Sequence, residues 1–162
     1  MTDFLGEYTG LIVSTVGAAL AAILSGIGSA KGVGMAGQAS AGLVSEDPEL
    51  FGRAIVLQLL PGTQGIYGFI VAVLIMVFNG ILGGSGQPIS GELGWTYFFG
   101  AMPIAFVGFS SAIAQGKTAV AGIGLLGKQP SESGKAIVMA IMVETYAVLA
   151  LLVSLLIILL AK

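Results

Sequence analysis

The chain has no cysteine and no histidine, and only 9% of its 162 residues carry a charge. Without cysteine it can form neither disulfides nor thiolate metal sites. Without histidine it lacks the usual imidazole ligand and the side chain that titrates near neutral pH. Six Lys and Arg against eight acids leave a formal net charge of -2, so the basic face that a phosphate backbone demands is missing and nucleic acid is excluded as a partner. Any bound cation has only carboxylate, amide, hydroxyl and backbone oxygens to turn to. The start, Met1-Thr2-Asp3-Phe4-Leu5-Gly6-Glu7, also lacks the positive region of a secretory signal peptide, so the first apolar segment is expected to be retained as a membrane span.

What the chain does have is apolar length. With 56% hydrophobic residues and a mean hydropathy of +1.03, it has too few polar groups to cover a water-soluble globule. Four apolar runs, at 10–44, 52–79, 95–127 and 134–161, each exceed the roughly 20 residues that a helix needs to cross the hydrocarbon core. The expectation is an all-α membrane protein, one membrane domain over residues 1–162 with four transmembrane helices. The first and third runs exceed what a bilayer requires and are expected to project beyond it. Polar turns, Ser45 to Glu49 and Lys128 to Gly134, join the helices in pairs, while the link from Asn79 to Gly94, rich in Gly and Ser and containing Pro88, reads as a loose connection on the opposite side. Lys31, Arg53, Lys117, Lys128 and Lys135 lie towards the two turns and only Lys162 lies on the other side. The positive-inside rule therefore places the turns at 45–51 and 128–134 in the cytoplasm and both termini outside the cell membrane.

The two halves resemble each other. Placing Lys31 over Lys117 also superposes Ala19 on Ala105, Ser25 on Ser111 and Ile27 on Ile113. With four residues removed at the turn, Gly52 falls on Gly134, Ala54-Ile55-Val56 on Ala136-Ile137-Val138, and Thr63 on Thr145. The chain thus reads as a duplicated helical hairpin, hairpin 1 over 10–79 and hairpin 2 over 95–161. In this register Glu144 of hairpin 2 stands opposite Gly62 of hairpin 1.

Glu144 interrupts an apolar stretch from Ala136 to Val153. An ionised carboxylate at membrane depth costs at least ~2.5 to 3.5 kcal/mol on insertion scales, which makes it functional by default. At about 1.5 Å per residue, Glu144 lies roughly 14 Å along its helix from Lys135, Thr63 and Gln64 roughly 15 to 17 Å from Arg53, and Gln115 roughly 20 Å from Lys128. These are comparable depths. Thr63 and Tyr67 share a helix face, and Pro61-Gly62 just before them lacks an N–H and crowds the carbonyl of Leu57, so nearby backbone oxygens can turn out of the helix ladder and must find a partner in lipid. A carboxylate, two amides, a hydroxyl and freed carbonyls at one level suit a hard monovalent cation. Singly, a membrane Thr or Gln is ordinary interhelical glue; their coincidence in depth with the one acid buried in a span argues for a site. Tyr67 and Tyr146 read equally as packing, with Tyr67 also able to hold Glu144 by a hydrogen bond.

Gly26, Gly28, Gly32, Gly34 and Gly37 alternate with small residues and suit close helix packing. Gly32-Val33-Gly34-Met35-Ala36-Gly37 formally fits G-x-G-x-x-G, but no strand precedes it and no acid follows about 20 residues later, so no nucleotide is expected on this chain. The first and third helices, the latter with Gly108, Gly116, Gly122 and Gly124, are expected to line the inner wall of a crowded ring.

Leu59-Leu60-Pro61-Gly62-Thr63-Gln64-Gly65, Gln115-Gly116-Lys117 and Val143-Glu144-Thr145-Tyr146, set in duplicated hairpins with a glycine-rich first helix, resemble the membrane-rotor proteolipid of V-type ATPases. The likeness is closest to the bacterial sodium-translocating branch of that family. It implies a rotor ring of identical copies surrounded by membrane lipids, driven through central-stalk subunits by an ATP-hydrolysing head, and passing a stator subunit that carries an arginine. It also implies an ion site made by the side chains of Thr63, Gln64, Gln115 and Glu144 and the backbone carbonyl of Leu60. Tyr67, Pro61 and Gly62 would support that site. The extra oxygens favour sodium over the alternative, a proton. A reading of another class remains, a small four-helix transporter that binds a cationic substrate at Glu144.

Overall fold

The computed structural model describes residues 2–84 and 88–161. Residues 85–87 of the expected loose link, and Lys162, lie outside the described residues. Helix α1 (Thr2–Glu46) is followed by a short 3-10 turn at Pro48–Leu50 and by α2 (Phe51–Leu59), a second 3-10 turn at Leu60–Gly62 and α3 (Thr63–Phe78). Helix α4 (Gly91–Lys128), a 3-10 turn at Pro130–Glu132 and α5 (Ser133–Leu160) complete the chain. Four segments, Gly6–Glu46, Pro48–Phe78, Gly91–Lys128 and Pro130–Leu160, are long and apolar enough to cross a membrane. The 45 residues of α1 make a rod of roughly 68 Å, more than twice the thickness of a hydrocarbon core of about 30 Å.

Local chemistry sets the helix ends. The Asp47 carboxylate accepts from the Glu49 N–H at 3.0 Å and caps the first turn, and Ser90 does the same for α4 through Leu93 N at 3.2 Å. At the end of α3, Gly80 takes φ +76°, a left-handed conformation that costs glycine least. Beside it Asn79, 2% exposed, donates from Nδ2 to Ser14 Oγ at 3.0 Å and accepts from Ile81 N, fastening this end of the hairpin to α1.

The second span is the exception to continuous helix. Pro61 removes one N–H, and the chain passes through Leu60–Gly62 as a 3-10 turn in which the Thr63 N–H bonds the Leu60 carbonyl. The sequence predicts freed oxygens around this proline, and the break falls there. By contrast Pro103 sits inside an unbroken α4, where the neighbouring Ile104 N–H is satisfied by Ser154 Oγ of α5 at 3.2 Å.

Helices α1 and α4 pack backbone to backbone. A Cβ at Gly28 would stand 2.7 Å from Phe109 Cα, and one at Gly116 would stand 2.5 Å from Gly32 Cα. Gly26, Gly34 and Gly124, in contrast, face open space within this chain. Two apolar clusters result: one holds Ala18, Val71, Ile75, Tyr97, Ile104 and Ile158, the other Ala36, Leu57, Ala119, Ile123, Leu126 and Ala136. On α1, α4 and α5 the residues of the first cluster lie towards one end and those of the second towards the other, and in the second span α3 holds the first and α2 the second. Between them runs a layer of buried polar residues, Ser25, Ser29, Gln64, Ser111 and Gln115, and this layer contains the candidate site.

Candidate ion-binding site

The break at Pro61, the tight α1–α4 seam and the middle of α5 bring the expected residues into one hydrogen-bonded network. Glu144, half-buried on α5, accepts from Tyr67 Oη at 2.5 Å through Oε1 and from Gln115 Nε2 at 3.3 Å through Oε2. Gln115 Oε1 in turn accepts from Gln64 Nε2 at 2.5 Å. Gln64 Oε1 accepts from Thr63 Oγ1 at 3.4 Å, and the Thr63 hydroxyl also lies 3.1 Å from the Leu60 carbonyl. Both Gln64 and Gln115 are fully buried. Thr63, Gln64, Gln115, Glu144, Tyr67 and the Leu60 carbonyl are therefore neighbours, contributed by α3, α4, α5 and the 3-10 turn.

Pro61 and Gly62 act on the backbone. Pro61 is buried, and its Cβ lies 2.7 Å from where a Cβ on Gly32 would stand, so the break is pressed against α1. A Cβ on Gly62 would meet only Val33 Cγ2, at an ordinary 3.6 Å. Packing therefore does not exclude a larger residue where the other hairpin has Glu144. Tyr146 turns outward with 69% exposure and takes no part in the network, which resolves its ambiguity in favour of a lipid- or partner-facing role.

Two serines complete the arrangement. Ser111 donates to the Val143 carbonyl at 3.1 Å and accepts from Gln64 Nε2 at 3.5 Å. Ser29 on α1 accepts from the Gly65 N–H at 2.8 Å, holding the first turn of α3 against the inner helix. A side chain at Gly65 would press on Ser29 at 3.1 Å, and one at Gly68 would overlap Ser25 Oγ, so these glycines let α3 approach. The signal for Ser111 in the sequence is its spacing, one helical turn before Gln115; nothing comparable marks Ser29.

The electrostatics follow from what surrounds the acid. Among the described residues the ion pair is Lys135–Glu132, at the start of α5, and no Lys or Arg pairs with Glu144. Lys31 and Lys117 are exposed on α1 and α4, the former with Nζ 5.8 Å from the Phe109 ring centroid. Nor do three His, Cys, Asp or Glu gather anywhere among the described residues. Glu144 thus has hydrogen-bond donors but no countercharge of its own, in a region where an unneutralised carboxylate is costly. Each amide oxygen accepts one of these hydrogen bonds and keeps a second lone pair. One negative charge ringed by neutral oxygens with spare lone pairs is an arrangement that a monovalent cation neutralises.

A family model for the ATP synthase C subunit matches the chain twice, over residues 16–75 and 98–157, so the duplication seen in the sequence extends to the family unit. A relative named V-type sodium ATPase subunit K, from Enterococcus hirae, is 48% identical over 160 residues, covering 98% of this chain and 99% of its own. Another, A-type ATP synthase subunit K from Methanocaldococcus jannaschii, is 43% identical over 147 residues, covering 90% of this chain and 61% of its own longer one.

Proposed function

Because the chain belongs to the ATP synthase C-subunit family, we propose that it is the ion-carrying subunit of a V-type rotor ring that moves sodium across the membrane. The observation that carries this reading is the Glu144 network: one carboxylate without a countercharge, joined through Gln115 to Gln64 and Thr63 at the break of the second span. The relative from Enterococcus hirae, named a sodium ATPase subunit, supports sodium as the cargo. The ligand set is Glu144, Gln115, Gln64, Thr63 and the Leu60 carbonyl, with Tyr67 steadying the carboxylate and Pro61 and Gly62 opening the backbone.

The mechanism follows from charge. A rotor that sweeps through lipid cannot carry an ionised Glu144 past the acyl chains, whereas with sodium bound the site is neutral and passes. Where the ring meets a stator subunit, an arginine there pairs with the emptied carboxylate and lets the ion leave. Moving one charge against 100 mV takes about 2.3 kcal/mol, supplied by ATP hydrolysis in the soluble head and delivered through the central stalk; this chain needs no nucleotide site. One acid in four spans gives fewer ions per turn than single hairpins would, which suits pumping. Hairpin 1 (10–79) then serves as scaffold and ligand donor and hairpin 2 (95–161) carries the charge. The turns at 45–51 and 128–134 face the cytoplasm and both termini face out, in keeping with the side on which Arg53, Lys128 and Lys135 gather.

The test is carbodiimide modification of Glu144 in the assembled ring at fixed pH, with sodium varied. Sodium is expected to protect Glu144 in a saturable way, and potassium at the same ionic strength far less. Labelling indifferent to sodium at every pH would sink the sodium reading.

A further inference from the structure

Ser111 lies beside Glu144 and has no part in the proposed ligand set. It is 6% exposed and lies on α4 one turn before Gln115. Its hydroxyl donates to the carbonyl of Val143, the residue next to Glu144, at 3.1 Å, and accepts from Gln64 Nε2 at 3.5 Å. A hydroxyl has one donor and two acceptor lone pairs, so both bonds are made together. The Gln64 amide nitrogen therefore faces two acceptors, both on α4: Ser111 Oγ and, at 2.5 Å, Gln115 Oε1. The amide oxygen is left on the other side, 3.4 Å from Thr63 Oγ1.

That orientation matters because the terminal torsion of glutamine is broad and roughly two-fold, so the side chain alone does not choose which end faces the site. A reversed Gln64 would present an N–H donor where a cation needs an oxygen. The same serine ties α4 to α5 beside the carboxylate. Both effects converge on the number of oxygens that can face one ion.

We propose that Ser111 is a positioning residue that sets selectivity for sodium over protons, by holding Gln64 Oε1 and Glu144 towards the same point. The proposal rests on the sodium-carrying reading. A proton needs a single oxygen of Glu144, whereas a hard metal cation needs several oxygens at once. Loosening the Gln64 amide therefore weakens sodium binding and leaves protonation nearly untouched.

The experiment compares rings of the parent, Ser111→Ala and Ser111→Thr by carbodiimide labelling of Glu144, first against pH without sodium and then against sodium at fixed pH. Ser111→Ala is expected to need roughly two- to tenfold more sodium for half-protection, the effect of losing the bond that orients Gln64, while its labelling against pH without sodium stays that of the parent. Ser111→Thr keeps the hydroxyl and is expected to restore the parental sodium requirement. A parental sodium requirement in Ser111→Ala overturns the proposal. So does an equal displacement of both curves, or a Ser111→Thr as weak as Ser111→Ala, because a packing role alone produces those results. If the parent itself shows no sodium protection, the sodium reading falls and selectivity by Ser111 falls with it.

Discussion

Replacing Gly116 by alanine tests whether the ion site depends on the spacing of the inner helices. Gly116 follows Gln115 directly, and an added Cβ would stand 2.5 Å from Gly32 Cα, 2.8 Å from Gly32 O and 3.0 Å from Gly32 C. All three atoms are backbone of α1, so no rotamer change relieves the contact. Carbon atoms pack best at about 3.5–4.0 Å, and α1 and α4 must part locally by roughly 1 Å to accommodate the methyl group. Overpacking of this kind costs about 1–3 kcal/mol. The functional consequence is larger than that figure suggests, because Gln115 is carried on α4 beside Gly116 and moves with it, and a displacement of this size disturbs both its 2.5 Å bond to Gln64 on α3 and its 3.3 Å bond to Glu144 on α5. Sodium protection of Glu144 against carbodiimide, measured on the assembled Gly116→Ala ring, is expected to require at least roughly tenfold more sodium, the equivalent of about 1.4 kcal/mol. A stable ring with the parental sodium requirement would refute the view that this seam positions Gln115.

Tyr67→Phe removes the 2.5 Å bond to Glu144 Oε1; a hydrogen bond to a charged group is worth about 1.5–3 kcal/mol, so sodium exchange from the isolated ring is expected to speed up by roughly tenfold or more, as followed with radioactive sodium. Arg53→Ala removes the bond from Arg53 Nη1 to the Pro130 carbonyl, 2.7 Å long and exposed, which ties the start of α2 to the turn before α5. Its expected effect on ring stability is at most about 1 kcal/mol, with the sodium requirement for Glu144 protection unchanged; a tenfold change in that requirement would show coupling between the turns and the site that the hydrogen bonds do not provide.

Much of this was readable from order along the chain. Glu144 stands out because bilayer depth makes a single acid conspicuous, and equal counts of residues from the turns bring Thr63, Gln64 and Gln115 to its level. Pro61 marks the break because a missing N–H is a local property. Other features are pairwise and leave no local trace. Gly26 and Gly28 look alike in sequence, yet one faces open space and the other meets the backbone of Phe109, since a turn of 100° per residue separates faces that a glycine count does not. Tyr67 and Tyr146 are equally plausible partners of the site by depth; only the rotation of α3 and α5 about their axes turns the first towards Glu144 and the second away. Ser29 is legible neither by depth nor by type, because its acceptor role depends on which backbone N–H α3 presents to it.

The sequence by itself determined the solvent, the four apolar spans, the duplication and the depth of the acid, because hydropathy, length and repeat register are properties of a linear chain. The tertiary structure decided which end of each amide faces Glu144 and which serine joins it. Hydrogen-bond direction depends on the rotation and spacing of neighbouring helices to within a fraction of an ångström, and here that spacing is set where Gly32 of α1 meets Gly116 of α4.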